Sequence, residues 1–311
     1  MLDVLVTVVP VFLVIGAGYA AVRLELFSSL AVDGLMVFTQ GFAVPCLLFG
    51  AVARLDLGAA FDSGLLISFY VGATVTFLLG MLAARVLFRR RPGEAVSIGF
   101  GALFSNSVLL GLPIMTRAFG EAALAPNYAI VSIHAPYCYL LGITAMELSR
   151  ADGRGFLETL AAIRQAVFRN SLMIGLALGL AVNLSGLALP DPAWAAVDMM
   201  AAAALPAALF GLGGVLTRYK PRESLGEAAT ISVLSLLVHP AIAYLLGVHA
   251  FGLSQGFMNS LVVTAAMAPG VNAFVFASMY RRAESAAAST VLIATALSVV
   301  TVSGWLWLLR S

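Results

Sequence analysis

Ser105, Asn106 and Ser107 sit together inside a long apolar run and are followed closely by Gly111 and Pro113. A second apolar run, 256–280, is interrupted in the same manner by Ala268-Pro269-Gly270-Val271-Asn272. Proline lacks a backbone donor and disfavours helix in the residue before it, and glycine adds backbone freedom. Both runs are therefore expected to break at mid-membrane depth, where unwound backbone survives only if it is packed in protein or lines a wet cavity. Short half-helices starting there would aim free N–H groups and the positive end of a dipole at one point, which suits an anion and most simply a carboxylate. Asn106 and Asn272 could hydrogen-bond such a guest without a fixed charge. One break alone would read as an ordinary kink; two at matching places in two halves point to a binding site.

Other intramembrane polar groups are fewer. His134, in Ser132-Ile133-His134-Ala135-Pro136, is either a neutral imidazole bonded to a neighbouring helix or a substrate contact able to carry a coupling proton. Asp198, eight residues before Pro206, is the carboxylate expected deepest in the membrane and a candidate proton relay, with an interfacial place as the alternative. Gln40, five residues before Pro45, is either a helix–helix hydrogen-bonding group or part of the substrate path. Asp33 and Glu147 fall near the ends of apolar runs, and His249 at an outer helix end. No Gly-x-x-x-x-Gly-Lys loop, His-Glu-x-x-His motif or metal-ligand cluster occurs, so neither an ATPase motor, a metal site nor a cofactor is expected.

The elements that must hold these residues are membrane helices. Hydrophobic residues make up 61% of the 311 and charged residues only 10%, with a mean hydropathy of +1.02; soluble domains carry about a quarter charged. A bilayer core needs about 20 apolar residues of helix. That ruler marks ten spans, near 3–23, 31–53, 62–88, 95–116, 125–148, 168–188, 193–217, 226–249, 256–280 and 285–309. Met1-Leu2-Asp3 offers no positive n-region, so the first run is expected to be a span rather than a cleaved signal. Cys46 and Cys138 fall within spans and form no disulfide framework. A net charge of +2 gives no reason to expect nucleic acid.

With the N-terminus outside, fourteen of the 17 Lys and Arg residues fall in inner loops, and the outer side keeps only Arg54, Arg117 and Arg310. That asymmetry is what the positive-inside rule requires, and it places both termini outside. Five spans per half then invert the second half relative to the first. Pro45-Cys46-Leu47-Leu48-Phe49-Gly50 and Pro206-Ala207-Ala208-Leu209-Phe210-Gly211 repeat one motif, and 206 − 45 puts the repeats 161 residues apart. The expected organisation is an all-α polytopic membrane protein. It consists of a five-span repeat over 1–150, a cytoplasmic connector at 151–167 and an inverted five-span repeat over 168–311, with spans four and nine broken and crossing.

The order Phe42-Ala43-Val44-Pro45, Asn106 through Gly111-x-Pro113, and Gly270-Val271-Asn272-Ala273-Phe274 resembles the auxin efflux carrier family, which includes bacterial malonate and malate permeases and plant auxin carriers. The resemblance covers nearly all ten spans and includes His239-Pro240 and Glu147. It implies a scaffold domain and a crossover domain, with an organic anion bound beside the crossing of spans four and nine. Asn106, Pro113 and Asn272 match crossover positions, and His134 falls where the plant carriers have a substrate-facing Gln. The second break departs from the pattern, with its Pro at 269 one place later than in many relatives, and the long central loop of the plant carriers is missing. The resemblance also implies a homodimer in the cell's plasma or inner membrane.

The expected function is secondary transport of a small mono- or dicarboxylate, malonate-, malate- or auxin-like, driven by protons or the membrane potential. A sodium-coupled carrier of the bile-acid symporter type is the nearest rival and would call for carboxylate ligands at the crossover. An intramembrane enzyme would need a catalytic pair, and Asp33 with Asp198 lacks the Gly-x-Gly-Asp setting. A channel or receptor would differ in lacking substrate counterflow.

Overall fold

The computed structural model describes residues 2–149, 171–219 and 224–310, and these are helical throughout apart from connecting segments, with no strand among them. The connector expected at 151–167 lies outside the described residues. Among the described residues, seven helices are long and apolar enough to cross a membrane, and three further apolar helices are shorter: Ser107–Phe119, Ser171–Ser185 and Val271–Tyr280. The structure thus gives a polytopic helical membrane protein. Two of the short helices lie beyond the interruptions at Asn106 and Pro269; the third begins at the edge of the described residues.

The chain forms two compact units, and each draws on both halves of the sequence. One unit comprises Pro10–Ala60 and Arg164–Arg218. It contains most of α1 (Leu2–Arg23), α2 (Ser29–Phe38) joined through a π-turn at Thr39–Ala43 to α3 (Val44–Ala53), α8 (Ser171–Ser185) and α9 (Asp191–Leu216). Glycines set its close approaches. A Cβ on Gly18 of α1 would fall on the carbonyl of Phe210 in α9, and one on Gly179 of α8 would lie 2.7 Å from the carbonyl of Phe49 in α3. Phe49 and Phe210 occupy equivalent places in the repeated Pro-x-x-x-Phe-Gly motif. Gly18 and Gly179 are separated by the same 161 residues (179 − 18), so one packing contact is made twice.

Two ion pairs fix the direction of α9 against α2 and α3. Arg54, just after α3, reaches Asp198 near the start of α9, with Nη1–Oδ1 at 2.8 Å and Nη2–Oδ2 at 3.0 Å. Asp33 near the start of α2 meets Arg218, just past α9, at 2.7 Å. The two segments run antiparallel. The charged residues of each are separated by 54 − 33 and 218 − 198 residues, or about 30 Å of helix, the thickness of a bilayer's hydrocarbon core. The Asp198 side chain is 52% exposed and paired with Arg54, which suits the interfacial alternative better than a buried relay.

The other unit comprises Met1–Val9, Phe61–Ile163 and Tyr219–Ser311. It is built from α4 (Ser63–Val86), α5 (Pro92–Leu103), α6 (Leu112–Phe119), α7 (Ala125–Ser149), α10 (Leu225–Val233), α11 (His239–Leu245), α12 (Gln255–Ala265), α13 (Val271–Tyr280) and α14 (Glu284–Arg310). Its core is aromatic: Phe69, Phe77, Phe100 and Phe276 are all fully buried. The Phe100 and Phe276 rings stack with centroids 3.9 Å apart, joining α5 to α13. Pro240 follows a π-turn at Leu234–Val238, the local rearrangement expected where proline removes a helix donor.

Candidate functional site

Both interruptions expected from the sequence are present, and they meet. After α5 the chain extends through Phe104, with φ −94° and ψ 91°. Asn106 then turns it, with φ −77° and ψ 59° and the N–H of Ser107 donating to the Ser105 carbonyl at 2.8 Å. Those angles are the inverse γ-turn minimum. A π-turn at Ser107–Gly111 leads into α6, which carries Pro113 in its first turn, where a missing N–H costs nothing. In the partner segment α12 ends at Ala265, and α13 restarts at Val271 with extended Gly270 as its N-cap. Ser105 and Pro269 form an isolated antiparallel bridge. It is sealed by Asn106 N–H to the Ala268 carbonyl at 2.8 Å and Gly270 N–H to the Phe104 carbonyl at 3.2 Å. Gly270 lies flat against Asn106; a Cβ there would stand 3.5 Å from the Asn106 Cα and Cβ.

The meeting point is asymmetric in its hydrogen-bonding capacity. Six carbonyl oxygens at the breaks are occupied. Phe104, Ser105, Asn106 and Ala268 accept from the backbone, Ala102 from the Thr76 hydroxyl at 3.2 Å, and Met267 from the Ser235 hydroxyl at 3.3 Å. Donors are left over. Neither Ser107–Gly111 nor α13 has a side-chain cap, and first-turn N–H groups have no intrahelical partner. Ser105 is 2% exposed and its hydroxyl has no partner among the described residues. Asn106 is 6% exposed, and its amide makes no side-chain hydrogen bond among the described residues. Ser107 is buried; Gly111 packs against Met267; Asn272 is half-buried in the first turn of α13. The residual chemistry is that of a small polar cluster, able to donate hydrogen bonds and without a fixed charge.

His134 braces this cluster. Its Nε2 lies 3.2 Å from the Ser105 carbonyl; a carbonyl can only accept, so Nε2 carries the proton. Nδ1 faces the Cys138 thiol at 3.7 Å, one turn along α7. The imidazole sits edge-on to Phe104, centroids 4.8 Å apart, and to Phe69, 5.5 Å apart. His239 packs on the same Phe69 ring at 4.9 Å and donates from Nε2 to the Phe69 carbonyl at 3.1 Å. Gly72 makes room for it, since a Cβ there would lie 2.8 Å from the His239 ring. The Tyr137 hydroxyl bonds that of Thr74. Sequence reasoning passed over Phe69, Thr76 and Ser235. Each bonds or packs across helices distant in sequence, and single hydroxyls or aromatics in apolar helices give no local signal.

The remaining candidates fall elsewhere. Gln40 lies in the π-turn at Thr39–Ala43, and Pro45 and Pro206 lie in α3 and α9; all three belong to the other unit. Asp198 is committed to Arg54, whose guanidinium also stacks over Trp194 at 4.0 Å. That exposed ion pair gives no support to a buried proton relay. A half-open apolar groove of roughly 340 Å³, lined by Pro45, Cys46, Phe49, Ile174, Gly175 and Leu178, also lies in that unit. It offers no charged group. No cluster of three metal-ligating residues occurs among the described residues.

A family model described as membrane transport protein matches residues 3–306 of this chain. The chain belongs to that family, the auxin efflux carriers. A protein of Rhizobium meliloti named "Putative malonate transporter" is 26% identical over 312 residues, covering all of this chain and 97% of the relative. An "Uncharacterized transporter" of Methanothermobacter thermautotrophicus is 26% identical over 306 residues, covering 96% of each chain. The family and both names are those of transporters rather than enzymes. With its long apolar helices, this auxin efflux carrier is a multi-pass plasma-membrane protein.

Proposed function

We propose that the protein is a secondary carrier of a small organic anion, a mono- or dicarboxylate, bound where the two interrupted segments meet. The observation that carries this reading is the imbalance at that point among the described residues: occupied carbonyls beside an unpartnered serine hydroxyl, an unbonded asparagine amide and two helix starts without a side-chain cap. Such a cluster favours negative charge. A sodium site draws on carboxylates to neutralise the ion; among the described residues no carboxylate adjoins the break, and six carbonyls there already accept hydrogen bonds. This favours an anion site over a sodium-coupled bile-acid-symporter mechanism. The malonate named for the Rhizobium relative makes a short dicarboxylate the first substrate to try.

The reading includes ten spans with both termini outside, and two five-span repeats of opposite orientation. The antiparallel ion pairs Arg54–Asp198 and Asp33–Arg218 support it, as does the packing contact repeated at a spacing of 161 residues. Inverted halves can exchange inward and outward shapes around a fixed midplane site. His134 holds the first break through Ser105. A proton taken at its Nδ1 would place a positive charge beside the anion, and that is the proposed route for proton coupling.

The test is uptake of labelled malonate and related carboxylates into proteoliposomes under separately imposed proton, sodium and potential gradients. Accumulation that follows the proton or electrical gradient is expected. Accumulation that requires sodium would replace this reading with the symporter alternative, and flux without counterflow would replace it with a channel.

A further inference from the structure

We propose that the end of α4 and the loop after it form a site for an anionic phospholipid of the adjoining leaflet, with Arg85, Arg89 and Arg91 holding its phosphate. Leu78, Leu82 and Val86 follow one another at four-residue spacing along α4 and are 55%, 57% and 64% exposed. They make an apolar stripe about 12 Å long, close to the half-thickness of a hydrocarbon core. Guanidinium groups stand at its end. Arg85 is exposed one residue before Val86, and its Nη1 donates to the Arg90 carbonyl at 2.7 Å, tying the loop back to the helix. The Arg90 N–H closes the same turn on the Ala84 carbonyl at 2.9 Å. Arg89 between them holds a left-handed φ of 52°, uncommon for a residue with a Cβ.

The four arginines of 85–91 are not equivalent. Arg90 is compensated: its Nε and Nη2 donate to Glu227 Oε1 at 2.9 and 2.6 Å, and Glu94 lies 3.8 Å away. Glu94 otherwise accepts from the Arg91 backbone N–H. Arg85, Arg89 and Arg91 are exposed and have no carboxylate partner among the described residues. Topology requires only positive charge on this side. It does not require three uncompensated arginines within seven residues at the foot of an exposed apolar stripe, with one of them tied to the loop backbone. A phospholipid matches both parts, its chains along Leu78–Val86 and its phosphate on planar forks that lysine cannot reproduce. A choline headgroup would bring a fourth cation beside the three guanidiniums, so the site selects anionic headgroups.

The test is native mass spectrometry of the full chain equilibrated with equimolar phosphatidylglycerol and phosphatidylcholine. The protein is expected to retain phosphatidylglycerol in about tenfold preference, the scale of one or two charge-assisted contacts. The triple variant Arg85→Gln, Arg89→Gln, Arg91→Gln is expected to lose that preference. Replacing the same three with Lys keeps the charge and topology and is expected to lower the preference severalfold; this variant decides the matter if the Gln variant does not fold. Equal retention of both lipids by the native protein would overturn the proposal. So would full preference in the Lys variant, which would mean diffuse charge attraction. Displacement of the lipid by soluble glycerol phosphate as readily as by phosphatidylglycerol would overturn it too, because the chains would then contribute nothing.

Discussion

Ser105 holds two positions at once: its carbonyl is taken by His134 and Ser107, while its buried hydroxyl has no partner among the described residues. Ser105→Ala removes only that hydroxyl. It is expected to raise the KM for a carboxylate about fivefold, equivalent to one neutral hydrogen bond of ~1 kcal/mol, without lowering the melting temperature. An unchanged KM would mean the hydroxyl does not meet the substrate. His134→Gln retains an N–H for the Ser105 carbonyl but cannot titrate near neutral pH. Transport by this variant is expected to persist with a flattened pH profile, and an unaltered profile would remove the proton from the mechanism. The breaks at Asn106 and Pro269 were legible in the sequence because glycine and proline interrupt an apolar run there. The bracing role of His134 was not, since its partner is a backbone carbonyl that any residue supplies. The choice between the two places weighed for Asp198 could not be made from sequence, because its partner, Arg54, lies 144 residues away.

At the scale of elements, glycines decide which helices can touch. Gly175 of α8 lies against the backbone of Pro45 in α3, where a Cβ would be 2.5 Å from the carbonyl oxygen. Gly175→Ala is expected to force the two helices apart and destabilise the protein by about 1–3 kcal/mol, the usual range for overpacking. Gly16→Ala is the matched control. A Cβ there meets nothing within 4 Å, and its melting temperature should not fall. Equal melting of the two variants would contradict the packing of α8 on α3. The existence of these helices could be read from hydropathy alone. Their lengths at the breaks could be read from Gly111, Pro113, Pro269 and Gly270. Which helices pair could not, because small residues are scattered through every span and only the fold shows which of them lie at a contact.

At the scale of the molecule, the sequence halves and the compact units divide the chain differently. The halves carry the repeated motif; the units interleave segments from both. Inversion makes a specific demand on the ion pairs, which must lie on opposite membrane faces. In a cysteine-free background, Asp198→Cys is expected to react with an impermeant thiol reagent applied to intact cells, and Asp33→Cys only after permeabilisation. The reverse pattern would invert the proposed orientation, and equal reactivity would deny that the pairs lie on opposite faces. The proposed substrate site is the polar cluster where the two interrupted segments join. Counterflow of labelled malonate in proteoliposomes tests that cluster most directly, comparing the native protein with Asn106→Ala and Asn272→Ala at matched expression and melting temperature. The native protein is predicted to exchange label and both variants to lose exchange. Native-level exchange by either folded variant would contradict an anion site at the junction.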